Sequence, residues 1–185
     1  MTPTLKNNFK PFGFVILSSL LILFLGVSLS FAATAADLRL SILPDKKEYQ
    51  SQEPVSVSFQ LENRGKSAIC VNKRFYLGAE EMPQDNRELY LIITSPSGKK
   101  MDSKFRYETG LPKTEYFVIL EPGKSVASEW KRDLRGYFEF NESGSYKAVA
   151  IYQNFYGGEL GLDTFKDKVV SELVTFKVIK ADAKK

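Results

Sequence analysis

One run of residues limits this chain more than any other: EPVSVSFQLEN, residues 53–63. Val55, Val57, Phe59 and Leu61 alternate with Ser56, Ser58, Gln60 and Glu62 without interruption. Successive side chains of a strand point to opposite faces, so the pattern specifies one apolar face and one wet face. The turn-forming cluster NRGKS, residues 63–67, ends the run, and a second apolar stretch, AICV, follows it. A strand with one greasy side needs a second sheet to cover it. The expected fold is all-β, an antiparallel sandwich.

The rest of the chain supplies the other strands. LRLSIL (38–43) alternates and reads as the first; ELYLIIT (88–94) places Leu89, Leu91 and Ile93 inward. YFVIL (116–120), the turn EPGKS and SVASEWKRDL (125–134) read as strand, tight turn and strand. Residues 134–141 read as irregular or one short helical turn anchored by Tyr137, Phe138 and Phe140. In SGSYKAVAIYQ (143–153), Tyr146, Ala148, Ala150 and Tyr152 share one face, and VVSELVTFKVI (169–179) closes the fold. Seven to nine short strands are expected, with no long amphipathic helix.

Ahead of this domain stands a leader. Lys6 and Lys10 precede an apolar run from Phe12 to Phe31, and ATAA (33–36) offers small residues to a signal peptidase. The expected organisation is a signal peptide over 1–35 cleaved after Ala35, a sandwich over 36–180 and a polar tail over 181–185. An uncleaved anchor is the rival, because about 20 apolar residues can span a bilayer. The expected location is therefore exported, periplasmic or extracellular, with membrane contact only through an uncleaved N-terminal segment. Formal charge falls from +4 to +2 on cleavage, since the leader carries two lysines and no acids. So small a positive excess, with no long basic run, gives no reason to expect nucleic-acid binding.

The absences narrow the chemistry. There is no histidine, which removes imidazole acid–base chemistry and the triads and metal sites built on it. Cys70 is the single cysteine, so no disulfide forms within the chain, and its apolar strand marks it as a small buried hydrophobe. Phosphate loops, paired-cysteine metal motifs and nucleophile elbows are missing from the sequence. The chain is read as a non-enzyme without cofactor or metal.

The quoted strands also carry a likeness. EPVSVSFQLEN with its N-x-G turn, EPGKS before a strand, SGSYKAVAIY near the end and SELVTFKV as the last strand resemble bacterial immunoglobulin-like and fibronectin-III-like domains. Their order is similar to the domain type named after bacterial intracellular proteinase inhibitors. The resemblance covers most of 38–179 and implies an immunoglobulin-like sandwich held by apolar contacts, since the cysteine pair of antibody domains is missing. It further implies that Gly144 and Tyr146 form a tyrosine corner, with the Tyr146 hydroxyl bonded to backbone. An inhibitor would act through a loop inserted into a protease cleft, which stands as the alternative function, with a carboxylate-based enzyme ranked behind it.

The leading functional expectation is a noncatalytic envelope module that contacts a protein or a glycan. Its expected surface is the long 154–168 loop, where Phe155 and Tyr156 precede Gly157 and Gly158. An immunoglobulin-like topology would bring Arg64 and Lys66 beside them. The competing reading has these aromatics folding back to plug the end of the sandwich. Trp130 shares strand parity with Val126 and Leu134, which predicts a core residue rather than an exposed sugar-stacking platform. Glu159, Asp163 and Asp167, like Glu80, Glu81, Asp85 and Glu88, read as solvated loop acids, and Lys73 and Arg74 as solvated bases.

Overall fold

The alternation at residues 55–62 is realised residue by residue. In the computed structural model, Val55, Val57, Phe59 and Leu61 are fully buried, while Ser56, Ser58, Gln60 and Glu62 are half-exposed. Each such buried side chain contributes about 1.5–3 kcal/mol. The structure describes residues 33–78, 88–104 and 110–180. The leader's apolar run, the tail 181–185 and the acids Glu80, Glu81 and Asp85 lie outside the described residues.

The described residues form twelve strands. In chain order they are β1 (Leu38–Pro44), β2 (Glu48–Gln50), β3 (Ser56–Asn63), β4 (Ile69–Asn72), β5 (Leu77–Gly78), β6 (Leu89–Thr94), β7 (Phe117–Leu120), β8 (Ser125–Ala127), β9 (Arg132–Asp133), β10 (Gly144–Tyr152), β11 (Val169–Val170) and β12 (Val174–Ile179). One antiparallel sheet runs β1-β3-β8, with β9 also paired to β3. A mixed sheet runs β2-β12-β10-β6-β5, with β11 on β10; β2–β12 and β5–β6 are its parallel pairs. β4 and β7 form a separate antiparallel ribbon. Among the described residues only single-turn 3₁₀ segments interrupt this pattern, so the described part of the chain is all-β.

Leu40, Phe59 and Leu61 of the first sheet share one hydrophobic core with Leu91, Tyr146 and Phe176 of the mixed sheet. Two facing layers over a common interior are compatible with a β-sandwich. Phe176 lies at the centre of an aromatic cluster, stacked on Tyr146 at 5.8 Å and edge-on to Tyr49 and Phe140 at 5.9 and 5.7 Å. The Tyr146 hydroxyl donates to the Glu142 carbonyl at 2.7 Å, the backbone bond expected of it.

The strand count exceeds seven to nine because predicted runs are broken. The stretch 68–77 divides into β4 and β5 at a turn where Phe75 adopts φ +47° and enters the core. Residues 125–134 divide into β8 and β9. Ala127 pairs with Gln60 and Arg132 with Val57, so four residues, 128–131, stand opposite two, 58 and 59. Ser128 keeps its place, with its amide on the Phe59 carbonyl at 2.7 Å and its hydroxyl accepting the Phe59 amide at 3.0 Å. The surplus falls at Glu129 and Trp130, which bulge out of the sheet.

Candidate functional site

The bulge forms one wall of a groove of about 590 Å³, within the range of about 300–1,000 Å³ usual for ligand sites. Trp130 is 63% exposed there, correcting the expectation of a core residue. Strand parity fails because the alternation stops where the ladder does. Leu134, past the bulge, is fully buried as expected. Val126 and Ala127 of β8 and Arg132 of β9 complete this wall. Arg132 pairs with inward-facing Val57, and its Nε is buried with no hydrogen-bond partner among the described residues.

The turn after β4 builds the opposite wall. Tyr152, wholly buried, donates its hydroxyl to the Asn72 carbonyl at 3.1 Å and accepts the Asn72 amide at 2.9 Å. The Asn72 side chain then accepts the Arg74 amide at 3.0 Å, closing a turn that sends Phe75 inward and leaves Lys73, Arg74 and Tyr76 along the groove. Tyr116 joins them from the 3₁₀ turn Thr114–Tyr116, its carbonyl accepting the Lys73 amide at 2.7 Å.

Arg74 is the rigid centre of this wall. Its guanidinium lies 4.8 Å from the Tyr76 ring centroid and 5.5 Å from that of Tyr116. It donates to the Gly110 carbonyl at 2.8 Å and pairs in two-pronged fashion with Glu88. Neither residue is a solvated loop charge, which corrects the reading of both: the Glu88 side chain is fully buried and that of Arg74 only 10% exposed. Burial pushes the Glu88 carboxyl above its ordinary value, with Arg74 acting in the opposite direction. The sequence places these residues fourteen apart with a polar loop between, and nothing in that spacing signals a pair.

Among the described residues, the groove cations left without an ion pair are Lys73, exposed, and Arg132, half-buried; Glu129 is the acid among the lining residues. Neither Lys73 nor Arg132 forms an ion pair among the described residues. The groove joins an uncovered indole face to net positive charge. It can stack a flat ring and bind an anion.

The 154–168 loop is differently built. Tyr156 is buried and Phe155 half-buried. Asn154, with no exposed surface, links Asn72 at 3.2 Å to the Tyr156 carbonyl at 2.8 Å, and Thr164 donates to that same carbonyl at 2.7 Å. Phe165 is buried, its amide donating to the Cys70 carbonyl at 2.8 Å. Phe165 joins the hydrophobic core, whereas Tyr156 is buried outside that cluster. Glu159, Asp163 and Asp167 are exposed.

Arg64 and Lys66 are exposed in the turn after β3. β3 and β10 start at the same end, since Tyr49 both bonds the Ser56 carbonyl and sits beside Val178, the register partner of Gly144. Both strands therefore finish at the end that carries this turn and the 154–168 loop. Their partners differ, however. Arg64 bonds Glu62 and the Asp37 carbonyl, whereas the loop bonds Cys70 and Asn72. Among the described residues, no hydrogen bond or ion pair joins Arg64 or Lys66 to Phe155 or Tyr156.

No family model matches the chain, and no curated protein matches it. Among solved structures, one described as "AvmM Catalyzes Macrocyclization in Alchivemycin A Biosynthesis" is similar at 12% identity and a TM-score of 0.38, over 80% of this chain and 92% of that one. At that level the similarity says nothing about activity.

Proposed function

We propose that the protein is a noncatalytic binding module, exported by its leader, that holds its ligand in the groove between Trp130 and the Lys73–Tyr76 turn. The observation that carries this reading is the exposure of Trp130. A bulge of two residues ejects an indole from a sheet that could have buried it, and sets it opposite a wall of tyrosine and arginine. Exposed aromatic surface beside fixed polar groups is characteristic of recognition sites. The immunoglobulin-like form of the sandwich is supported by the Tyr146 corner bond and by the parallel β2–β12 edge. Burial of Tyr156 supports the groove over the 154–168 loop as the contact surface.

A glycan array and an envelope-protein overlay, probed with wild type, Trp130→Ala and Phe155→Ala, test the assignment. The expected result is binding by wild type that is lost in Trp130→Ala and kept in Phe155→Ala. Trp130→Ala should leave unfolding free energy within about 0.5 kcal/mol of wild type, as for surface substitutions generally. Binding that survives Trp130→Ala and disappears in Phe155→Ala would place the site on the loop instead.

A further inference from the structure

We infer that the ligand is an acidic carbohydrate, with a sugar ring stacked on Trp130 and a carboxylate held by Arg132 and Lys73. The inference rests on the groove being the binding surface, and adds the chemistry of what fills it.

Charge supplies the first argument. Arg74 is already committed to Glu88 and to the Gly110 carbonyl, and Tyr76 and Tyr116 lie against its guanidinium. Among the described residues, the charges left for a ligand are Lys73 and Arg132, against Glu129. Arg132 faces the core side of the sheet with a buried Nε that has no partner among the described residues. Arg132 lines the groove half-buried and forms no ion pair among the described residues, so its charge is open to a carboxylate. The ligand is therefore anionic at the β9 side of the groove.

Shape supplies the second. The indole of Trp130 presents a broad apolar surface in a groove whose walls mix charged groups with tyrosine rings, Val126 and Ala127, a setting suited to a ring with an apolar face and a polar rim. A pyranose has both. An acidic peptide in extended form would dock by adding a strand to an open sheet edge. The strand edges beside this groove are β8, which offers three residues before Ser128 turns its polar groups onto Phe59, and β7, four residues long and paired only to β4. Edges so short favour the sugar.

The test is calorimetric titration of the full chain with a short oligogalacturonate, its methyl ester and polyglutamate, alongside intrinsic fluorescence. Trp130 is the only tryptophan, so a change in emission reports on this site alone. The oligogalacturonate should bind and shift the emission, and affinity should fall about tenfold or more for the methyl ester, for Trp130→Ala and for Arg132→Gln. Lys73→Ala, at an exposed position, provides a second charge variant should Arg132→Gln fold poorly. Equal binding of the methyl ester would overturn the acidic requirement while leaving the groove in place. Polyglutamate binding as tightly as the sugar would overturn the carbohydrate. Absence of both heat and emission change with oligogalacturonate would overturn the inference, whereas the groove itself stands or falls on the Trp130→Ala array result.

Discussion

Glu88 shows how much one residue's surroundings decide. An isolated carboxylate in the interior is strongly disfavoured, and Arg74, itself nearly buried, is what makes it tolerable. Removing one partner strands the other, so Glu88→Ala should cost about 3–5 kcal/mol in urea unfolding at neutral pH. The pH dependence has a definite sign. Burial raises the folded-state pKa of Glu88, so the folded chain holds this proton more tightly than the unfolded chain does. Stability tied to that proton is fully present below about 4.5, the ordinary value, and is lost as pH rises through the raised folded value. The stability of wild type relative to Glu88→Gln should therefore fall as pH is raised from 4.5 and then level off. A difference that grows with pH would mean that Arg74 outweighs burial. Among single residues, Tyr146 was legible because a corner tyrosine has a local partner, Glu142, four residues upstream. Glu88 was not, because its partner lies across a loop.

At the scale of elements, legibility follows the ladder. β3 could be read from sequence because its register with β1 is unbroken from Asn63 to Val57, and an unbroken register preserves period-two alternation. Trp130 could not, because parity counted across residues 128–131 assumes a continuous strand that the bulge interrupts. The 154–168 loop was legible in position and length, but its packing depends on groups far away in sequence, Cys70 and Asn72. Within the loop, Gly157 adopts φ +113°, and a Cβ there would meet the Thr164 methyl at 2.4 Å. Gly157→Ala should destabilise the fold by about 1–3 kcal/mol in urea unfolding, since it combines backbone strain with a clash against a buried side chain. An unchanged unfolding midpoint would show that the loop's packing does not contribute to stability.

For the whole molecule, one apolar interior joins the two main sheets, while the groove forms where the Lys73–Tyr76 turn and Tyr116 meet the broken edge β8–β9. The layered fold follows from alternation that can be seen in single strands. The groove arises from two irregularities, the Phe75 turn and the Glu129–Trp130 bulge, neither of which has a periodic signature. The central claim is that Trp130 stands in solvent at the edge of a binding groove, and its fluorescence tests this most directly because no other tryptophan contributes. In the folded chain without ligand, the account predicts a solvent-like emission maximum that iodide quenches nearly as well as it quenches a free indole. A blue-shifted emission that resists iodide in the folded chain and becomes quenchable only in urea would place Trp130 in the core and contradict it.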